Sequence, residues 1–214
     1  MNMNPFMSNQ KIIVLVVFLC STLMASLFVY HLRHQSSPTL LANDQGMVFS
    51  VARPIKSFQL STSESKLLTE QNFRHHWTLL FFGFTHCTNV CPVTLNMLKN
   101  AYEKLHLIYP NLQIILISLD PERDHLQTLS HYTHSFHPDF IGATGQIQEI
   151  HKLQSQLGIF SARDHDGTAY QIQHTSSILL INPQGKWAGL FKYGMNSEQF
   201  SKAFIDSINV LGRY

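Results

Sequence analysis

The sequence predicts an α/β domain preceded by a single transmembrane helix, and three observations support this class. An uncharged apolar run lies near the N-terminus. Beyond it, short apolar runs alternate with longer segments of helical spacing, as in sheets with buried strands and covering helices. Two cysteines, Cys87 and Cys91, lie where the first of these apolar strands gives way to a helix. Their position favours a thioredoxin-like three-layer sandwich.

Length and composition exclude several classes of protein. A chain of 214 residues allows one ordinary domain and an accessory segment. Charged residues make up 13%, against about 25% in an average soluble chain. The net charge of +2 gives no reason to expect nucleic acid as a partner. Three cysteines are too few for a disulfide scaffold, and the 13 histidines remain to be explained.

The apolar run over residues 12–30, IIVLVVFLCSTLMASLFVY, carries no charge. As a helix it would be about 28 Å long, which is enough to cross a bilayer core. A cleaved signal peptide is the alternative, but its apolar region is usually shorter and ends at an Ala-x-Ala-like site. We therefore predict an uncleaved membrane anchor after a short flank, residues 1–11. Cys20 within this run is interpreted as an apolar filler.

Residues 31–46 are polar and contain Ser-Ser-Pro, so they are predicted to be a tether. Residues 47–214 form the predicted thioredoxin-like domain. Its apolar runs predict buried strands, and Pro92 and the pair Asp120-Pro121 predict helix starts. The predicted strands are 77–84, 112–119, 140–143, 176–181 and 187–193, with edge strands within 49–60 and a hairpin turning at Asp166-Gly167. The predicted helices are 92–109, 120–136 with Asp120 as its cap, 146–157 and 196–211.

The position of the cysteine pair allows two chemical uses. A helix N-terminus lowers the pKa of a thiol, and the resulting thiolate serves both disulfide exchange and metal binding. Two thiolates alone do not complete a zinc site, whereas soft sulfur donors together with one imidazole suit Cu(I). A thiol peroxidase is a third alternative, but its Pro-x-x-x-Thr/Ser-x-x-Cys pattern is absent before Cys87.

Three ordered segments resemble the SCO/SenC family. They are FGFTHCTNVCP at 82–92, SLDPERD at 118–124 and YQIQHTS at 170–176. The resemblance extends over roughly residues 47–212. The sequence departs from the family pattern at Gln173, where Asp is common, and at Thr88-Asn89, where Pro-Asp is frequent.

The resemblance implies a membrane-anchored, thioredoxin-like copper protein of cytochrome c oxidase assembly. It implies metal ligation by Cys87, Cys91 and His174, with copper held as Cu(I) or in a second state as Cu(II). It also implies a Cys87–Cys91 disulfide in the oxidised form. His86 beside Cys87 is either a fourth ligand or a solvated side chain.

The same resemblance implies a cellular setting. The domain would face the periplasm from a single-pass anchor in a bacterial inner membrane. Its implied partners are cytochrome c oxidase subunit II, with its dinuclear copper centre, and other periplasmic copper or thiol carriers. A thiol–disulfide oxidoreductase acting on partner cysteines remains the alternative function.

Overall fold

The computed structural model describes residues 9–33, 38–40, 45–165, 167 and 169–212. The chain divides into two compact units, Met1–Ser37 and Pro38–Tyr214. In the first unit, helix α1 (Asn9–Arg33) covers the whole predicted span. Its segment Ile12–Tyr30 has a mean hydropathy of 2.8 and exposed side chains. The helix is thus long and apolar enough to cross a membrane.

The second unit is built on a mixed β-sheet. The described strands are β1 (Pro38–Leu40), β2 (Gly46–Pro54), β3 (Leu60–Thr62), β4 (Leu67–Leu68), β5 (Trp77–Gly83), β6 (Leu112–Ser118), β7 (Ile141–Thr144), β8 (Ser161–Arg163), β9 (Ile172–His174), β10 (Ile178–Ile181) and β11 (Lys186–Phe191). Among the described residues, nine strands form this sheet in the order β1-β2-β11-β10-β5-β6-β7-β3-β4, and a separate two-stranded sheet pairs β8 with β9.

The central strands β5 and β6 are parallel and buried on both faces, which explains their continuous apolar sequence. Phe81 and Leu116 point into one core cluster, while Phe82 and Ile117 point into the other. Helices cover both faces, so the predicted three-layer α/β sandwich is confirmed. They are α2 (Val90–Ile108), α3 (Leu126–Phe136), α4 (Ile147–Gln156) and α5 (Ser197–Leu211), with a 3-10 turn at Glu70–Phe73.

The helices divide between the two faces by their apolar residues. Leu98 of α2, Leu129 of α3 and Phe204 of α5 belong to the first core cluster. Ile150 and Leu153 of α4 belong to the second. Both clusters meet at the carboxyl end of β5, because Cys87, just beyond it, packs against each of them.

The start of α3 differs from the prediction. The helix begins at Leu126, and its cap residue His125 makes no side-chain capping hydrogen bond. Asp120 does not cap a helix, because its carboxylate accepts hydrogen bonds from Tyr170 and Arg123 instead. The segment after Pro121 is a turn rather than the first turn of a helix.

Two other segments differ in detail. The predicted tether, 31–46, contains the end of α1 and strand β1, which pairs antiparallel with β2 through Pro38 and Phe49. The predicted hairpin exists as β8 paired with β9. Of its predicted turn, Asp166 lies outside the described residues, and Gly167 has a φ of +132°.

Candidate functional site

The cysteine pair lies at the junction predicted from the sequence. β5 ends at Gly83, and α2 begins at Val90. Cys91, in the first turn of α2, is fully buried, whereas Cys87 in the preceding loop is half-buried. A Cβ added at Gly83 would lie 2.8 Å from the Cys91 sulfur. Glycine at the end of β5 therefore leaves the space that the Cys91 sulfur occupies.

His174 joins the two cysteines from a distant part of the sequence. It ends β9 and is partly buried. Its Nε2 lies 3.7 Å from the Cys91 Sγ, and the donor atoms of Cys87, Cys91 and His174 all lie within 4.8 Å of one another. The three residues implied by the resemblance are thus one cluster in the structure.

Neighbouring groups fix the orientation of the imidazole. Its Nδ1 lies 3.0 Å from the Thr175 carbonyl oxygen. Because a carbonyl only accepts hydrogen bonds, Nδ1 carries the proton and Nε2 keeps a free lone pair. The rings of Phe81 and Phe84 meet the imidazole edge-on, with centroids 6.1 and 6.2 Å away. His174 is therefore prepared to ligate through Nε2, on the side of the sulfurs.

The two thiols have opposite acidities. The hydrogen bond from the Cys91 side chain lowers the pKa of Cys87 to about 4, although burial opposes this effect. The Cys91 backbone N–H also points at the Cys87 sulfur, at 3.4 Å. Hydrogen bonding to Cys87 and burial raise the pKa of Cys91. These two directions favour Cys87 as the thiolate and Cys91 as the thiol that keeps the proton.

The donor set fits a soft metal ion. Metal–sulfur bonds near 2.3 Å and metal–nitrogen bonds near 2.0 Å place the donors of a three-coordinate ion about 3.5–4 Å apart. The Cys91–His174 separation of 3.7 Å is already in that range. Two sulfurs and one imidazole are donors that Cu(I) prefers, and binding would displace the thiol proton.

Behind the cluster, the turn from Asp120 to Asp124 contains two fully buried carboxylates. The Asp124 carboxylate accepts hydrogen bonds from Thr85, and the Asp120 carboxylate accepts one from the Tyr170 hydroxyl. Sequence reasoning assigned no role to Thr85 or to Tyr170. Their positions, two residues before Cys87 and four before His174, were the available signal.

The other singled-out residues lie outside this cluster. The ligating nitrogen of His86 groups with Asp120 and Asp124 rather than with the sulfurs, and its side chain is exposed. Gln173 is exposed and stands opposite Ala162 in the hairpin. Three further histidines in or next to α3, His131, His134 and His137, belong to no ligand group of this kind among the described residues. Cys20 lies in α1, and all three cysteines are free thiols, so the Cys87–Cys91 disulfide stays a prediction.

Comparisons with curated proteins identify one relative of similar length and one that is longer. The chain is 29% identical over 202 residues to the SCO2-like protein RP587 of Rickettsia prowazekii, covering 92% of this chain and 98% of the relative. It is 30% identical over 164 residues to the mitochondrial SCO2 homolog of Danio rerio, covering 73% of this chain but only 57% of that protein.

Solved structures share the fold. Copper-bound ScoI of Arabidopsis thaliana superimposes with a TM-score of 0.68 and 28% identity, over 72% of this chain and 97% of the other. Copper-bound ScoI of Bradyrhizobium japonicum does so with a TM-score of 0.64 and 29% identity, over 70% and 96% of the two chains. The sequence profile of SCO1/SenC matches residues 30–209. By this match, which takes in both cysteines, His174 and the whole sheet, the chain belongs to the SCO1/SenC family.

Proposed function

We propose that this protein is a copper metallochaperone that binds Cu(I) through Cys87, Cys91 and His174. The observation that carries the proposal is the convergence of two sulfurs and one correctly oriented imidazole within 4.8 Å. Family membership and the copper-bound ScoI structures support copper as the ion. The low pKa of Cys87 also helps, because thiolate is the ligating form.

The recipient that we propose is the dinuclear copper centre of cytochrome c oxidase subunit II. Cu(I) would pass by ligand exchange, with no covalent change in either protein. Cys87 is the more accessible sulfur, so it is the ligand that an incoming donor replaces most readily. Fully buried Cys91 would keep its bond longest. A Cys87–Cys91 disulfide would stop binding, because both thiols must be reduced.

Copper stoichiometry of the reduced full-length chain in detergent tests this proposal. We expect one Cu(I) per chain, measured against a competing Cu(I) chelator. Cys87→Ala, Cys91→Ala and His174→Ala should each weaken binding by at least about 100-fold, more than removal of an outer-shell partner does. Cys20→Ala is the matched control and should bind like the parent. Full Cu(I) affinity in His174→Ala would show that the ligand assignment is wrong.

A thiol–disulfide oxidoreductase is the second candidate, favoured by the opposite acidities of the two thiols. The Cys87 thiolate would attack a partner disulfide and form a mixed disulfide, releasing one partner thiolate. Cys91, losing its proton, would then attack Cys87, releasing the second partner thiolate and leaving a Cys87–Cys91 disulfide. This two-electron reduction does not need His174. This function would be favoured if the parent protein binds no copper and His174→Ala exchanges disulfides as fast as the parent.

A further inference from the structure

The turn from Asp120 to Asp124 contacts both segments that lead to the candidate metal ligands, the loop that bears Cys87 and the segment before β9. It follows β6 and lies beside the loop that bears Cys87. Asp120 and Asp124 are both fully buried. Buried carboxylates are costly unless hydrogen bonds satisfy them, so their partners indicate what the turn holds in place.

Asp124 holds the cysteine loop. Its Oδ2 accepts hydrogen bonds from the Thr85 backbone N–H at 3.0 Å and from the Ser118 hydroxyl at 2.6 Å. Its Oδ1 accepts a hydrogen bond from the Thr85 hydroxyl. Two residues further along the loop, the Cys87 backbone N–H donates to the Phe84 carbonyl at 3.2 Å. The path from Asp124 to the Cys87 sulfur is therefore short and made of hydrogen-bonded backbone.

Asp120 holds the strand that bears His174. Its carboxylate accepts hydrogen bonds from the Tyr170 hydroxyl and from the Arg123 Nε. Arg123 also donates from Nη1 to the Tyr170 carbonyl at 3.1 Å, and its guanidinium lies 3.7 Å from the centre of the Tyr170 ring. Tyr170 is thus held at both its backbone and its ring, two residues before β9 begins.

An exposed ion pair connects the same turn to the other strand of the hairpin. Glu122 lies 2.7 Å from Arg163 of β8, with side chains 64% and 40% exposed. Exposed pairs of this kind contribute little. Glu122 therefore offers a control from the same five residues that should leave the site unchanged.

We propose that Asp120 and Asp124 are positioning residues that hold the metal ligands through two separate arms. Asp124 positions Cys87 through Thr85, and Asp120 positions His174 through Tyr170. The proposal rests on the metal-binding function proposed above. It assigns to the family segment SLDPERD the task of setting the distance between the sulfurs and the imidazole.

Hydrogen exchange of the apo protein tests the two arms without any metal. Thr85→Val and Tyr170→Phe each delete one hydroxyl at nearly constant volume. In the full-length chain in detergent, Tyr170→Phe should speed amide exchange in 172–175 about tenfold and leave 85–91 unchanged. Thr85→Val should do the reverse. Equal acceleration of both segments in either variant would show general destabilisation and overturn the two-arm assignment.

Cu(I) competition titrations of the same full-length variants then test the path to each ligand. Tyr170→Phe should weaken binding about tenfold, as loss of an outer-shell partner does, but have no effect in a His174→Ala background. Thr85→Val should weaken binding in both backgrounds. An undiminished effect of Tyr170→Phe after His174 is removed would overturn the His174 arm, and loss of the Thr85→Val effect there would overturn the Cys87 arm.

Glu122→Gln should match the parent in both measurements. The exchange experiment also separates the two proposals. If the parent binds no Cu(I) but the exchange pattern holds, the proposed function fails and the positioning network stands. If Cu(I) binds through the three ligands but the exchange pattern is absent, only the positioning network fails.

Discussion

At the scale of single residues, the site depends on how tightly Cys91 is enclosed. Its side chain has no exposed surface, and it packs in the same core cluster as Leu95 and Phe81. A sulfur enclosed in this way cannot move freely when a neighbouring residue is replaced by a larger one. Gly83 is the neighbour with the least room, since its missing side chain leaves the space that the sulfur fills.

We expect Gly83→Ala to displace the Cys91 sulfur. The new methyl group would lie 2.8 Å from Sγ and 3.2 Å from Leu116, so the core would be overpacked, at a cost of about 1–3 kcal/mol in the free energy of unfolding. Chemical denaturation and Cu(I) titration should show lower stability together with weaker binding. Gly212→Ala, at a helix end with φ −78°, is the control. Unchanged Cu(I) affinity in Gly83→Ala would contradict the argument.

The low pKa of Cys87 gives a pH prediction. Its folded pKa of about 4 lies below the ordinary thiol value of 9.0, so between these values the unfolded chain binds more protons. Stability should therefore rise with pH across this window and fall as pH drops towards 4. Alkylation of Cys87 by iodoacetamide should stay fast down to about pH 5, read by mass spectrometry in a Cys20→Ala background.

The partner thiol supplies the control for this profile. The Cys91 side chain is the largest cause of the lowered pKa of Cys87. Cys91→Ala should therefore raise the pH at which the alkylation rate of Cys87 is half-maximal. A midpoint already near 8–9 in the parent protein would contradict the assignment of Cys87 as the thiolate.

At the scale of elements, sequence pattern predicted the buried strands better than the helix starts. The runs that became β5 and β6 could have no other place than the interior. Asp120-Pro121 resembled a helix start, but a buried carboxylate bonds to whichever donors the tertiary structure brings near, here Tyr170 and Arg123. The same reason hid the role of Thr85, whose partner lies 39 positions away.

Helix α5, whose start the sequence did predict, provides a test of its cap. The Asn196 side chain accepts a hydrogen bond from the Gln199 N–H, and the Gln199 side chain accepts one from the Asn196 N–H. Asn196→Ala should lower the free energy of unfolding by about 1 kcal/mol, while Asn196→Ser should lose little. The two cap hydrogen bonds join only Asn196 and Gln199, so Cu(I) affinity should not change. A loss of copper binding in Asn196→Ala would contradict this separation.

At the scale of the whole molecule, the chain combines an apolar helix with a domain that has its own two core clusters. The composition indicated both parts. Cys20 could therefore be assigned to the apolar helix, and Cys87 and Cys91 to the domain. The meeting of His174 with the cysteines did not follow from spacing, because His174 lies 83 positions after Cys91. That assignment came from the family resemblance.

This organisation predicts where the protein resides. We expect the full chain to stay with the membrane after alkaline carbonate extraction, and a chain starting at Pro38 to be released and to unfold cooperatively. In a bacterial host, a C-terminal alkaline phosphatase fusion should be active, since the orientation implied by the family resemblance places the domain in the periplasm. This orientation would be contradicted if a C-terminal fusion to green fluorescent protein is fluorescent and the phosphatase fusion is inactive.

The hairpin that carries His174 is separate from the nine-stranded sheet. Its two strands are joined by three residue pairs, which are Ser161 with His174, Ala162 with Gln173, and Arg163 with Ile172. Short elements of this kind open locally at far lower free energy than the fold as a whole. The rate at which an ion enters or leaves would then follow the opening of this hairpin, so a very stable domain can still exchange its metal quickly.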